Sequence, residues 1–408
     1  MDISLKGLGR ACAAAVLAIG LGGAVCWRTG GSCGRAALAA GGTLALFGGV
    51  WLVERLGRSP ERPHHPPPQN FDWGIHAFRA FAIVCVMMAH VSGAIGRQGL
   101  HDALFWGSTV FFLFISGYLC QHIASRRAQT AWDYWRKKAS NVLLPYLFCS
   151  AATVALMACE SRPQWWFLAP EGFSAGEIAA TLLLGRAWIA YWYIPFVSLL
   201  FAVSPLLLRL GDRALAVATV SAGLLAVAFP ERGFLFSLDW PNVFHLYSWL
   251  TVSYLAGFLY CRKRTALEPW LRRCAWPLFA FGCAIGLWIA YPGLLGLRLV
   301  ETPLAVNLQK WCFTGALLAA LPFFRRRIAL LDALANASFT LFFIHCAFID
   351  TLGAWHRGLL EALPLLQGGL QRVAVDAAFS AAFVLAMLGL ARLLKCAFGR
   401  HSRLFIGS

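Results

Sequence analysis

Twelve apolar runs, each long enough to cross about 30 Å of hydrocarbon as a helix, lie along this chain. They fall near residues 11–27, 36–53, 75–95, 104–123, 139–159, 190–208, 213–229, 243–261, 275–291, 306–324, 333–353 and 371–394. Inside a bilayer the backbone must bond to itself, so runs of this length read as α-helices. Composition agrees: 59% of the 408 residues are hydrophobic and 13% are charged, against about 25% charged in a soluble domain. The expected fold is an all-α polytopic membrane protein with about twelve transmembrane helices. No connection between the runs is long enough for a soluble domain.

Basic residues concentrate in alternate connections. Counted from a cytoplasmic N-terminus, the even-numbered ones hold Arg55, Arg58 and Arg62; Arg126, Arg127, Arg136, Lys137 and Lys138; and Arg209 and Arg213. Further on come Arg262, Lys263, Arg264, Arg272 and Arg273, then Arg325, Arg326 and Arg327. Arg392, Lys395, Arg400 and Arg403 follow at the C-terminal end. The opposite loops mostly carry one or two basic residues each, which puts both termini in the cytoplasm. Membrane orientation thus accounts for the net charge of +17, and nucleic acid is excluded as a partner.

A proline-rich linker over residues 58–70, which no transmembrane helix could contain, separates a two-helix extension (1–57) from a ten-helix body (71–398). Residues 399–408 are expected to form a cytoplasmic tail. The first apolar run follows Lys6 and Arg10 like a signal peptide. It lacks a small-x-small cleavage site at Cys26-Trp27, so it reads as a retained helix. Of 13 cysteines, most lie in apolar stretches, among them Cys85, Cys120, Cys149, Cys283 and Cys346. They show no Cys-x-x-Cys or Cys/His metal spacing, so they read as small hydrophobes and no metal is expected. Cys26 and Cys33 flank a short loop that a disulfide could close on the extracytoplasmic side.

Two ionisable residues share one of the apolar runs, Arg79-AFAIVCVMMA-His90. Eleven residues at 100° each bring both side chains to one helix face, roughly 16 Å apart along the axis. Taken singly, Arg79 could snorkel to the interface and His90 could hydrogen-bond a neighbouring helix. Together they mark a polar track, because an intramembrane ionisable group costs several kcal/mol unless it meets a partner, a cavity or a reaction. An imidazole accepts protons near neutral pH, and guanidinium suits phosphate or carboxylate.

Other residues extend the track. Ser116-Gly117-Tyr118, late in the fourth helix, adds two hydroxyls around a glycine that permits close backbone approach; small-residue helix packing is the plainer account. The basic loop of Arg126, Arg127, Arg136, Lys137 and Lys138 is interleaved with Trp132, Tyr134 and Trp135. It serves orientation, or a phosphate-rich ligand whose base stacks on the rings. Trp192-Tyr193-Ile194-Pro195 opens the sixth helix on the outer side. Ser338 and His345 share a face of the eleventh, with His345 at a depth like that of His90. Glu301, Asp239 and His245 fall in or beside outer loops, and Asp350 and Asp376 lie near outer helix ends.

These pieces, in this order, resemble the membrane-bound acyltransferase family 3, whose members acylate bacterial surface sugars, lipids and some small molecules. The resemblance rests on Arg79-x10-His90, Phe112-x3-Ser116-Gly117-Tyr118, the basic loop ending at Pro145-Tyr146, Trp192-Tyr193 before Ser204-Pro205, and Ser338-x6-His345. There are departures. His76 stands where the family carries Asp, Ala80 follows the Arg in place of Gly, Lys138-x-x-Asn141 replaces Arg-x-x-Arg, and Phe342 replaces Tyr. The resemblance implies an O-acyltransferase of the bacterial inner membrane, with acyl-coenzyme A (acetyl-coenzyme A foremost) as donor. The acceptor would be an extracytoplasmic glycan or lipid-linked sugar. It makes His90 the general base and places Arg79, Ser116 and Tyr118 with it. The donor would bind Arg79, Arg126, Arg127, Arg136, Lys137 and Lys138; the acceptor would meet Trp192, Tyr193, Glu301 and His345. The competing reading is a transporter or flippase for a lipid-linked or acylated saccharide, against which stands the lack of an internal repeat.

Overall fold

The computed structural model describes residues 71–95, 99–127, 129–159, 174–228, 241–291, 303–362 and 369–407. Helices α1 (Trp73–Ile95), α2 (Leu100–Phe105) and α3 (Thr109–Arg126) come first, then α4 (Ala131–Lys138), α5 (Leu144–Cys159) and α6 (Ala175–Leu184). They are followed by α7 (Tyr193–Leu207), α8 (Asp212–Ala228), α9 (Pro241–Ala290), α10 (Pro303–Ala320), α11 (Ala329–Ala362), α12 (Gly369–Phe398) and α13 (Ser402–Ile406). No strand occurs among the described residues. The predicted runs at 11–27 and 36–53, the proline-rich linker, Asp239 and Glu301 lie outside them.

Among the described residues, six helical stretches are long and apolar enough to cross a membrane: Trp73–Val91, His101–Arg126, Leu250–Ala290, Leu304–Phe323, Ala329–Ile349 and Ala374–Phe398. The expected count of about twelve is therefore not reached among the described residues. Three predicted runs hold less regular α-helix than the roughly 20 residues a perpendicular span needs: α5, α7 and α8 have 16, 15 and 17 described residues, with α5 continuing directly from a π-helical segment at Ala139–Leu143. Two others, 243–261 and 275–291, are arms of the 50-residue α9, which bends at Lys263 (φ −108°, ψ 18°). Polar contacts hold the bend. The Arg262 guanidinium donates to the carbonyls of Leu208 (3.1 Å) and Leu210 (2.6 Å) and to Gln121 Oε1 (2.9 Å), while Lys263 pairs with Asp212.

The outer surface fits a lipid solvent. Leu206, Trp276 and Phe323 are 63%, 79% and 87% exposed, which suits contact with hydrocarbon. One buried charge is matched to partners. Lys310 of α10 is fully buried, and its ammonium donates to Leu104 O (2.7 Å), Ala103 O (3.3 Å) and Gln309 Oε1 (2.6 Å), tying the short α2 to α10. The last described residues pack against the bundle. The Phe405 ring packs 4.8 Å from that of Phe148 and 5.2 Å from that of Phe398, and Gly407, at φ +72°, lies against Phe339.

Helices α3 and α9 approach most closely at two glycines. A Cβ on Gly117 would meet the Tyr254 carbonyl oxygen, and one on Gly257 the Phe114 carbonyl oxygen. Both obstacles are backbone, so neither can yield cheaply. Gly117→Leu should lower stability in detergent by about 3 kcal/mol or more. Gly223→Ala, where nothing lies within 4 Å, should be neutral or slightly stabilising. Thermal unfolding of the two variants checks the pair.

Candidate active site

Helices α1 and α11 run parallel and keep nearly constant register. Near their starts His76 Nε2 lies 3.0 Å from Asp332 Oδ1. Near the other end the His90 and His345 rings are 5.2 Å apart between centroids. The two pairs share almost the same sequence offset, so the two polar stripes predicted on separate helices are brought face to face. His90 and His345, read only as lying at similar depth, are in contact.

At the basic end a cavity of about 1130 Å³ opens. Arg79, Arg126, Arg127, Lys137 and Lys138 line it, together with Arg209, Arg403 and His122. The predicted Arg136 is exposed and off the wall. Arg403 comes from the stretch expected to be a cytoplasmic tail, and it belongs to the wall because the packing of Phe405 fixes α13. Arg79 has no ion pair or hydrogen bond among the described residues; its guanidinium carbon sits 5.2 Å from the Phe339 ring centroid. Lys138 is held likewise, its Nζ 4.0 Å from the Phe201 ring and 5.5 Å from the Tyr134 ring. Aromatic faces stabilise a cation modestly and leave its N–H donors available. Burial brings the Lys138 ammonium down to about 8; the Cys120 thiol works against this and Arg79 adds to it.

Tyr118 takes a different place from the one expected. Its hydroxyl donates to Asp72 Oδ2 (2.8 Å) and accepts from Arg264 (2.9 Å), while Arg264 also pairs with Asp72 and Glu268. Asp72 caps α1, accepting from the Ile75 amide at 3.1 Å. Burial by itself would raise the Asp72 carboxyl, but the Ile75 amide, Arg264 and Tyr118 outweigh it and hold the group below its usual range. His90 lies 17 residues beyond the first residue of α1, about 26 Å along the axis. Tyr118 therefore belongs to the framework of the basic mouth and is not brought to the histidines.

Ser116 and Tyr193 lie between the two ends. Ser116 Oγ is 3.5 Å from the Tyr193 hydroxyl, and the Tyr193 ring is 5.5 Å from that of Phe342, whose own ring is 6.1 Å from His345. Trp192 packs edge-on against Tyr193 at 6.4 Å. Tyr191, which the sequence did not single out, donates to Phe343 O at 2.7 Å and so fixes this segment on α11. The Ser338 hydroxyl is buried without a partner among the described residues.

At the far end His345 Nδ1 is 2.9 Å from the carbonyls of both Leu341 and Phe342. Carbonyls only accept, so Nδ1 carries the proton, and in the neutral ring Nε2 keeps its lone pair. Cys346 Sγ lies 3.4 Å from that Nε2. His90 is half-buried and makes no hydrogen bond with any described residue. The arrangement supplies unpaired cations for an anion at one end and imidazole lone pairs for a proton at the other.

Residues 72–394 match the acyltransferase domain of acyltransferase family 3, and the chain belongs to that family: it is a multi-pass membrane acyltransferase. No curated protein and no solved structure matches the chain.

The Tyr118 placement can be checked directly. Tyr118→Phe removes contacts with two charged groups and should cost about 1.5–3 kcal/mol per lost bond, lowering the melting temperature. The kcat for acyl transfer should stay within about threefold of wild type, because no group acting on the transition state is lost.

Proposed function

We propose that this protein carries an acyl group, acetyl foremost, from cytoplasmic acyl-coenzyme A to a hydroxyl of an extracytoplasmic glycan or lipid-linked sugar, with His90 as general base. On this reading the basic mouth faces the cytoplasm of a bacterial cell and the histidine end faces outward across the inner membrane. The observation that carries it is Arg79, an unpaired intramembrane guanidinium on the wall of a basic cavity, on the same helix face as His90 of an imidazole pair. A cation in that setting is costly unless it meets an anion. A cavity of about 1130 Å³ is at the large end for small-molecule sites, which run to about 1,000 Å³, and so suits a nucleotide-bearing donor.

The donor phosphates would sit among Arg79, Lys138, Arg126, Arg127 and Lys137, with the pantetheine arm directed along the Ser116–Tyr193 interval toward His90. The cavity wall includes Arg79 and not His90, so Tyr193 and Phe342 must shift to admit the thioester. A hydroxyl arriving from the opposite side gives its proton to His90 and attacks the thioester carbonyl. The C–S bond then breaks, and the proton on His90 passes to the departing thiolate. Ser116, whose Oγ lies 3.5 Å from the Tyr193 hydroxyl, would line the path of the arm. Trp192 and the His345 side of the cluster would meet the acceptor.

His90→Ala should lower transfer by about 10²–10⁴-fold with folding intact, and Arg79→Ala should raise the KM for the donor. Mass spectrometry of surface glycans from a deletion strain carrying each variant reads the first effect, and steady-state kinetics with acetyl-coenzyme A in nanodiscs reads the second. Near-normal acylation by His90→Ala would refute the mechanism. The pH dependence has a definite sign. Lys138 loses its charge as pH rises through about 8, so log kcat/KM for the donor should fall above that value, by roughly tenfold for one charged contact. Lys138→Arg should move that limb to higher pH.

A further inference from the structure

Cys346 stands beside the two histidines in a way the acyl-transfer chemistry does not require. His90, His345 and Cys346 each offer one ligand atom, and these atoms lie within 4.8 Å of one another. His345 and Cys346 are buried and His90 is half-buried. We propose that His90, His345 and Cys346 form a binding site for a zinc-class cation, two imidazole nitrogens and one thiolate, with a fourth position open.

Three observations carry this. A tetrahedral zinc ion has Zn–N near 2.0–2.1 Å and Zn–S near 2.3 Å, which puts nitrogen and sulfur about 3.5 Å apart; His345 Nε2 and Cys346 Sγ are 3.4 Å apart. The His345 ring is already oriented for ligation. Metal-bound histidine usually donates its second N–H to a carbonyl or carboxylate, fixing the tautomer, and here Nδ1 donates to two carbonyls at 2.9 Å. The ligand set is selective as well. Thiolate with imidazole favours Zn²⁺ and related soft or borderline cations over Mg²⁺ and Ca²⁺, which take oxygen ligands. No carboxylate belongs to the cluster.

Binding replaces the Cys346 S–H bond with a metal–sulfur bond and releases one proton to solvent; no oxidant or reductant takes part. The cation also occupies the His90 lone pair. This consequence rests on the acyl-transfer reading: a metal-bound His90 cannot accept the acceptor's proton, so the cation is a reversible inhibitor.

The test uses the full-length protein, reduced and stripped of metal, in nanodiscs, with Co²⁺ as the spectroscopic probe. One equivalent should produce a thiolate-to-cobalt charge-transfer band and visible bands of tetrahedral intensity, both abolished by Zn²⁺ displacement. Cys346→Ser should remove the charge-transfer band. His90→Asn, which keeps the thiolate, should retain that band and weaken Co²⁺ binding by roughly ten- to a hundredfold. The His90→Asn measurement decides the matter if Cys346→Ser does not fold. In the activity arm, Zn²⁺ should suppress acyl transfer until a chelator is added, and Cys346→Ser, normalised to its own rate, should need at least about tenfold more Zn²⁺. Absence of the band in wild type, or an unchanged band in Cys346→Ser, overturns the site. A band that behaves as described, together with full activity in His90→Ala, leaves the metal site standing and removes the acyl-transfer mechanism instead.

Discussion

The parallel packing of α1 against α11 decides where the ionisable groups of the membrane interior can go. A charge in hydrocarbon needs a partner, a cavity or water, and a helix face can supply these only where a neighbour presents matching groups. With His76 opposite Asp332 and His90 opposite His345, the facing stripes form one polar seam enclosed by apolar helices. The glycine contact of α3 with α9 closes the bundle beside it, bringing Ser116 and Tyr118 to the same seam. Displacing α11 by one residue along α1 would rotate both pairs off the seam.

Cations at the basic end fall into two groups, and the difference separates framework from site. Arg264 is saturated by Asp72, Glu268 and Tyr118, and Arg262 by backbone carbonyls and Gln121. Those residues hold α1, α3, α7 and α9 at fixed spacing. Arg79 and Lys138 have only aromatic rings beside them. Their unspent donors aim into the cavity, where a phosphate would satisfy them. The asymmetry is what the seam offers chemically: an anion-seeking end and a proton-accepting end joined by Ser116 and Tyr193.

Much of this was legible in the sequence, and the limits have physical causes. Arg79 and His90 could be placed on one face because helical periodicity is local, and Gly117 signalled a close approach because no other residue permits it. The meeting of His90 with His345 was foreshadowed only by matching depth, since periodicity does not say which helices are neighbours. The setting of Tyr118 was out of reach for the same reason: its partners Asp72 and Arg264 lie 46 and 146 residues away. The pairing of His76 with Asp332 of α11 is visible only once the helices are packed. Cys346 read as a small hydrophobe because the His90 it lies beside is on another helix. Six spans are counted among the described residues because two predicted runs lie outside them, α5, α7 and α8 each hold fewer than 18 residues of regular α-helix, and α9 carries two apolar runs through one bend.

The most direct measurement is a cryo-electron microscopy map of the protein with a non-reactive thioether analogue of acetyl-coenzyme A. The account predicts density for the phosphates against Arg79 and Lys138, an arm passing a displaced Tyr193, and the acyl carbon within reach of His90. A donor that stops short of Tyr193, or a His90 ring turned toward lipid, would contradict it.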